Sequence, residues 1–313
     1  MILPSAAVPL YLALVGARRP FATAEGARAR IAERRLRPLG YAPPERLRRD
    51  VAISAGHEHG WPVYRVTPSP VLPNLARAAA ALVYVHGGGW VNEISPLHWR
   101  LVAQLAAEAN LEVIVPIYRL VPFGTAIEAR DGVAALVEEA RARYDDVLLA
   151  GDSAGGQIAL SAALALRDRG IALPLTTLVS PALDLSWSNP RIPEVQPSDP
   201  WLGVPGGVVL AEAWRGELPL DDPAVSPLAG ELAGLGPLSV YSGTRDVLNP
   251  DARLLVERAQ EVGVGVSLHE RRGQLHVYPL LPTPVGRSAR ADIVAELRAA
   301  VRGGRATPAG ADD

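Results

Sequence analysis

The sequence predicts an α/β fold, one large domain in which helices flank a mostly parallel sheet. Two observations carry this. Residues 147–150 (VLLA) form a short apolar run, as a buried parallel strand needs; it stops at Gly151, and a helix-like pattern runs from Gln157 through Leu166. Strand-like and helix-like segments also alternate along most of the 313 residues, a length that can bury one large core.

Between that strand and helix stands Gly151-Asp152-Ser153-Ala154-Gly155, a G-x-S-x-G. In this motif a strand turns sharply into a helix, and glycines flank the serine because side chains there would clash. The turn pushes Ser153 Oγ out of the sheet, beside helix N-terminal N–H groups that can stabilise an oxyanion.

Composition excludes several classes. A net charge of −2 gives no electrostatic case for nucleic acid, and the basic residues are all Arg. With no cysteine there can be no disulfide, thiolate metal site or cysteine nucleophile. Residues 1–16 are almost wholly apolar but shorter than a spanning helix, and Arg18 and Arg19 follow the apolar run, where a signal peptide would have its charge first. This stretch reads as a buried or cap-lining segment, with peripheral membrane contact as the second reading and the cytoplasm as the expected compartment.

In chain order, residues 1–45 are expected to be an Arg-rich helical segment, clearest over 22–36 and ended by Pro38 and Pro43-Pro44. Strands follow at 50–55 and 61–67, with His57, Glu58, His59 and Gly60 as the turn; its histidines read as solvated rather than metal-binding. Residues 68–79 read as a proline-containing loop. The strand 80–85 (AALVYV) then runs into His86-Gly87-Gly88-Gly89-Trp90. Three consecutive glycines at a strand end are costly unless backbone N–H groups must face something closely. A helix over 96–110, a strand over 111–118 that leaves the ladder at Pro116, and a helix over 127–143 lead into the central strand.

Beyond the Ser153 helix comes a strand at 175–180. Residues 183–235 then break the rhythm with many Pro and Gly and three tryptophans, and read as an insertion over the sheet. Alternation resumes with a strand at 238–242, a helix at 250–262, a strand at 264–270 and a helix at 287–301; residues 304–313 are expected to be a flexible tail. The domain core is thus 46–182 plus 236–303.

A serine hydroxyl needs a base, and the base needs a carboxylate to fix its tautomer. Of six histidines, His86 lies in the glycine turn, His98 opens a helix and His269 lies within a strand. His276 falls in the loop after the last strand, at the carboxyl end where parallel sheets place their chemistry. The loop after the preceding strand supplies Asp246; Asp251 is the rival, better suited to a first helical turn. The catalytic order is then Ser153, Asp246, His276, that of the α/β-hydrolase fold. The N–H groups of Gly87, Gly88 and Ala154 are the expected oxyanion donors, and Trp90, Trp187, Trp201 and Trp214 the candidate walls of a substrate pocket.

HGGGW at 86–90, GDSAGG at 151–156, the Asp246-x-Leu248 pair and the loop His276 together resemble the hormone-sensitive-lipase-like family of α/β-hydrolase esterases, as does Tyr118-Arg119-Leu120 with Pro122. The resemblance covers residues 50 to 300. It implies an eight-stranded sheet, a helical cap made by 1–45 and 183–235, hydrolysis of carboxylic esters of small molecules through an acyl-enzyme, no cofactor or metal, and a homodimer as a further expectation. Phe123 stands where that family has Glu, and Val277-Tyr278-Pro279 where Gly-Phe is common. Alternatives are a lactone or acetylated natural product such as a sterol ester as substrate, amide cleavage, and a non-catalytic ligand-binding protein on the same scaffold.

Overall fold

The computed structural model describes residues 3–69, 78 and 80–303; most of the loop expected over 68–79 and all of the tail from 304 lie outside them. Eight strands form one sheet: β1 (Val51–Glu58), β2 (Trp61–Pro68), β3 (Ala80–Val85), β4 (Leu111–Pro116), β5 (Val147–Asp152), β6 (Thr176–Val179), β7 (Leu238–Gly243) and β8 (Val266–Arg271), in the order β1-β2-β4-β3-β5-β6-β7-β8. Only the β1–β2 and β2–β4 pairings are antiparallel. The expected α/β fold with a mostly parallel eight-stranded sheet is the observed one.

Strands β3 to β7 are buried along their whole length, which explains their near-continuous apolar sequence. Helices Ala126–Arg141, Ala154–Asp168 and Asn249–Glu261 close one face; Pro96–Ala109 and Pro284–Gly303 close the other. The first hairpin is tighter than the expected four-residue turn. His57 and Glu58 pair with Pro62 and Trp61 inside the ladder, leaving His59 and Gly60 to turn with φ of 50° and 79°. Positive φ at both central residues is the two-residue geometry that matches strand twist.

The N-terminal segment folds as short helices Val8–Leu14 and Arg19–Ala22 and the longer Ala24–Leu36, capped by the Thr23 hydroxyl accepting from Gly26 N–H at 3.0 Å. It packs on the helix Val204–Trp214 of the insertion, where Gly206 is required because a Cβ there would stand 2.1 Å from the carbonyl oxygen of Phe21. Both segments lie over the carboxyl end of the sheet, around the cavity that reaches Ser153.

Candidate active site

At the end of β5 the chain enters the sharp turn read from the sequence. Ser153 sits at φ 53° and ψ −119°, strained for a side-chain-bearing residue, and its N–H is held by the Val179 carbonyl at 2.8 Å. The flanking glycines are steric necessities: a Cβ on Gly151 would lie 2.2 Å from the Gly155 oxygen, and one on Gly155 would lie 2.1 Å from the Val85 oxygen.

Loops after β7 and β8 converge on this turn. His276 Nε2 is 2.9 Å from Ser153 Oγ, and His276 Nδ1 is 2.9 Å from Asp246 Oδ2. The Leu248 N–H donates to the other Asp246 oxygen at 3.0 Å. Val277 N–H donates to Ser180 Oγ at 3.0 Å, pinning the histidine loop. Val277 adopts φ 46°, a left-handed conformation that suits the glycine common there and is awkward for a β-branched side chain. Burial works against a charged His276 ring, but Asp246, and behind it Asp199 and Asp152, hold its pKa above the usual histidine value.

Asp251, the rival carboxylate, lies in the first turn of Asn249–Glu261 and accepts from Asn189 Nδ2 at 2.8 Å. His59 Nε2 lies 3.2 Å from Glu139, and among the described residues no cluster could hold a metal. Phe123 is 59% exposed and lines none of the cavity.

The glycine turn corrects one expectation. Gly87 N–H is already committed, donating to Asp152 Oδ1 at 3.0 Å, so it has no hydrogen left for an oxyanion. Among the described residues the N–H groups of Gly88, Gly89 and Ala154 have no partner, and Gly88 and Gly89 line the cavity with Ser153. Gly88 must be glycine: φ is +128°, and a Cβ would lie 2.4 Å from the Asn92 oxygen.

That cavity measures about 300 Å³ and is walled mainly by apolar groups, Trp90, Trp187 and Trp201 among them. Trp201 stands edge-on to the His276 ring, centroids 5.6 Å apart. The expectation for Trp214 was wrong. Its side chain is 0% exposed and lies outside the cavity, in the core between Trp90 and Tyr118. Both indole N–H groups, of Trp90 at 3.0 Å and Trp214 at 2.9 Å, donate to Gln157 Oε1 on the Ser153 helix. A larger cleft, about 460 Å³, lies beneath the insertion beside Asp251 and touches none of Ser153, Asp246 and His276.

Sequence reasoning missed the buried network behind the serine. Asp152 accepts from Tyr84 OH at 2.6 Å as well as from Gly87, and its second oxygen is 3.1 Å from His98 Nε2. Despite burial, these partners hold Asp152 below its usual pKa, ionised. Missed too was the ion pair of Arg34 with Glu93 at 2.5 Å, which with Arg30 Nε on Asn92 at 2.8 Å docks the N-terminal helix onto the segment after the glycine turn. An acid inside a nucleophile motif was a signal for the first; the second had none.

Residues 82–280 match the sequence profile of the alpha/beta hydrolase fold family. The chain belongs to that family. It is 32% identical over 253 residues to a triacylglycerol lipase of Mycobacterium tuberculosis, covering 79% of this chain and 52% of the lipase, about half the length of that relative. It is 34% identical over 211 residues to an acetyl-hydrolase of Streptomyces hygroscopicus, covering 64% and 70%. The crystal structure of an esterase from the bacterial hormone-sensitive lipase family superposes with a TM-score of 0.76 at 26% identity, covering 89% of this chain and 98% of that one. The resemblance to hormone-sensitive-lipase-like esterases therefore holds, and by this kinship the protein is a carboxylester hydrolase.

Proposed function

We propose that the protein is a serine carboxylesterase for small-molecule esters of short to medium acyl chains, acting through an acyl-enzyme on Ser153. The observation that carries this reading is the pair of 2.9 Å contacts joining Ser153, His276 and Asp246. His276 takes the Ser153 proton as Oγ attacks the ester carbonyl, whose electron pair moves onto oxygen. Asp246 fixes the Nδ1–H tautomer and stabilises the ring once charged. Gly88, Gly89 and Ala154 replace the trio read from the sequence as N–H donors to the oxyanion, each donor typically contributing about 2.7–4 kcal/mol. His276 then protonates the leaving alcohol and activates the water that frees the acid.

The chain-length part rests on the cavity, whose 300 Å³ lies at the lower end of the range for small-molecule sites, about 300–1,000 Å³. The acetyl-hydrolase relative supports the same choice. The aromatic walls also suit the acetate of a bulky natural product, the second reading. A rate series on p-nitrophenyl esters from acetate to palmitate, with Ser153→Ala alongside, tests the proposal. Turnover should peak at short to medium chains and vanish in the variant; folded protein without turnover on any chain would sink it.

The same reading includes contact with a lipid surface. Leu10, Tyr11, Leu14 and Val15 are exposed, Tyr11 and Val15 also line the cavity, and Arg18 and Arg19 follow with no acid before Glu25. An exposed apolar ridge beside basic residues suits an anionic interface. Among the described residues no helix is long and apolar enough to cross a membrane.

A further inference from the structure

The insertion touches the Asp246 loop through a second buried carboxylate. Asp199 is 2% exposed and follows the short 3-10 turn Gln196–Ser198. Its Oδ1 accepts from the N–H groups of Trp201 at 2.8 Å and Leu202 at 3.0 Å, and its Oδ2 from Val247 N–H at 2.9 Å. The next N–H of the same loop, that of Leu248, donates to Asp246 at 3.0 Å. Two consecutive main-chain donors are thus divided between two carboxylates, one from the insertion and one from the loop after β7. Arg245 Nε donates to the Ser198 carbonyl at 3.1 Å, a second clip between the same two segments.

The hydrogen bonds of Asp199 fix the backbone at Trp201, whose indole stands edge-on to His276 with an interplanar angle of 88°. The charged groups acting on the His276 ring are Asp246 from the loop after β7, Asp152 from the end of β5 and Asp199 from the insertion, all negative. Burial and the neighbouring Asp246 make Asp199 harder to ionise, and its three N–H donors oppose this. Nothing in the Ser–His–Asp scheme requires a second acid here.

We propose that Asp199 is a positioning residue for the His276–Asp246 pair: it locks the insertion onto the acid loop, and its charge favours the protonated ring formed when Ser153 gives up its proton. This rests on the proposed role of His276 as base. It makes the insertion part of the acid–base machinery as well as a wall of the cavity.

The test is the pH dependence of kcat/KM for p-nitrophenyl acetate in wild type, Asp199→Asn, Asp199→Glu and Trp201→Ala. Asparagine is isosteric and uncharged. Its one oxygen can keep either the Trp201 and Leu202 bonds or the Val247 bond while its NH2 opposes the other side, so both the lock and the charge weaken and the midpoint of the acid limb should fall by about 0.5–1 pH unit. Glutamate should restore it, and Trp201→Ala should change KM and leave the midpoint in place. An unmoved limb in a folded Asp199→Asn overturns the proposal, as does an equal shift in Trp201→Ala. If Asp199→Asn does not fold, Asp199→Ser serves as the neutral variant. If the wild type turns over no ester, the esterase reading has failed, and NMR titration of the His276 ring in the same variants decides on Asp199 by itself.

Discussion

The main-chain N–H of Gly87 donates to the carboxylate of Asp152, so the glycine turn hangs from the residue immediately before Ser153. The two strand ends that supply the turn and the serine cannot shift independently.

Asp152→Asn disturbs that link without removing bulk. His98 Nδ1 accepts from Ser95 N–H at 2.9 Å, so its proton lies on Nε2 and points at Asp152. If the asparagine oxygen keeps Tyr84 and Gly87, its NH2 meets that N–H donor to donor. Relief of that clash by turning the amide breaks the Gly87 link instead and frees the turn that carries the oxyanion donors Gly88 and Gly89. We expect kcat to fall about tenfold or more with KM little changed, one such donor being worth about 10²–10³. Steady-state kinetics on one ester checks this.

Activity should disappear on the acid side at an unusually high pH. The base must be neutral, and its three acidic neighbours hold His276 above the ordinary histidine value, so the acid limb of kcat/KM should have its midpoint above about 6.5. The stability linkage has the opposite sense: a raised histidine contributes fully below its unfolded pKa, and that contribution is lost as pH rises through the folded one. A midpoint at or below 6.5 would contradict the arrangement.

Asp251 is pushed up to about 6 by burial, against the Asn189 hydrogen bond, and its Oδ2 is buried without a partner. Between its unfolded pKa and about 6 the native state holds more protons, so this group removes stability as pH rises through that window. Asp251→Asn should therefore melt higher than wild type at pH 8, and the difference should close by pH 4. Thermal melts at the two pH values measure it.

Arg34 and Glu93 form their ion pair with side chains only 5% and 9% exposed. Arg34→Ala leaves the Glu93 charge buried alone and should cost about 3–5 kcal/mol in urea unfolding. Arg34→Met with Glu93→Leu should recover most of that loss, because well-packed apolar pairs often replace buried ions without penalty.

The parts of this molecule legible in the sequence are those that local chain chemistry dictates. The strand before Ser153, the glycines around it and the placing of Asp246 and His276 after successive strands all follow from patterns a few residues long. What escaped depends on partners distant in sequence. Gly87 and Gly88 look alike as letters, and only the position of Asp152 decides which N–H is already taken. Trp201 and Trp214 likewise share composition and neighbourhood, yet one faces the cavity and the other the core. The hairpin was misplaced by two residues because His57 and Glu58 carry no strand preference of their own and are held by pairing with Pro62 and Trp61.

The amide of Gln157 decides where this enzyme can breathe. Its oxygen receives both indoles, and its nitrogen donates to the Ala224 carbonyl at 2.8 Å and to Ser161 Oγ at 3.1 Å. Glycine turn, insertion and serine helix are therefore riveted at one side chain, and swinging the insertion aside would strip several buried polar groups of their partners at once. The short Val8–Leu14 helix, which contributes Tyr11 and Leu12 to the cavity wall, takes no part in that rivet. The wall of the cavity is thus built from two kinds of segment, one tied to the serine helix through buried polar groups and one that rests on apolar contacts.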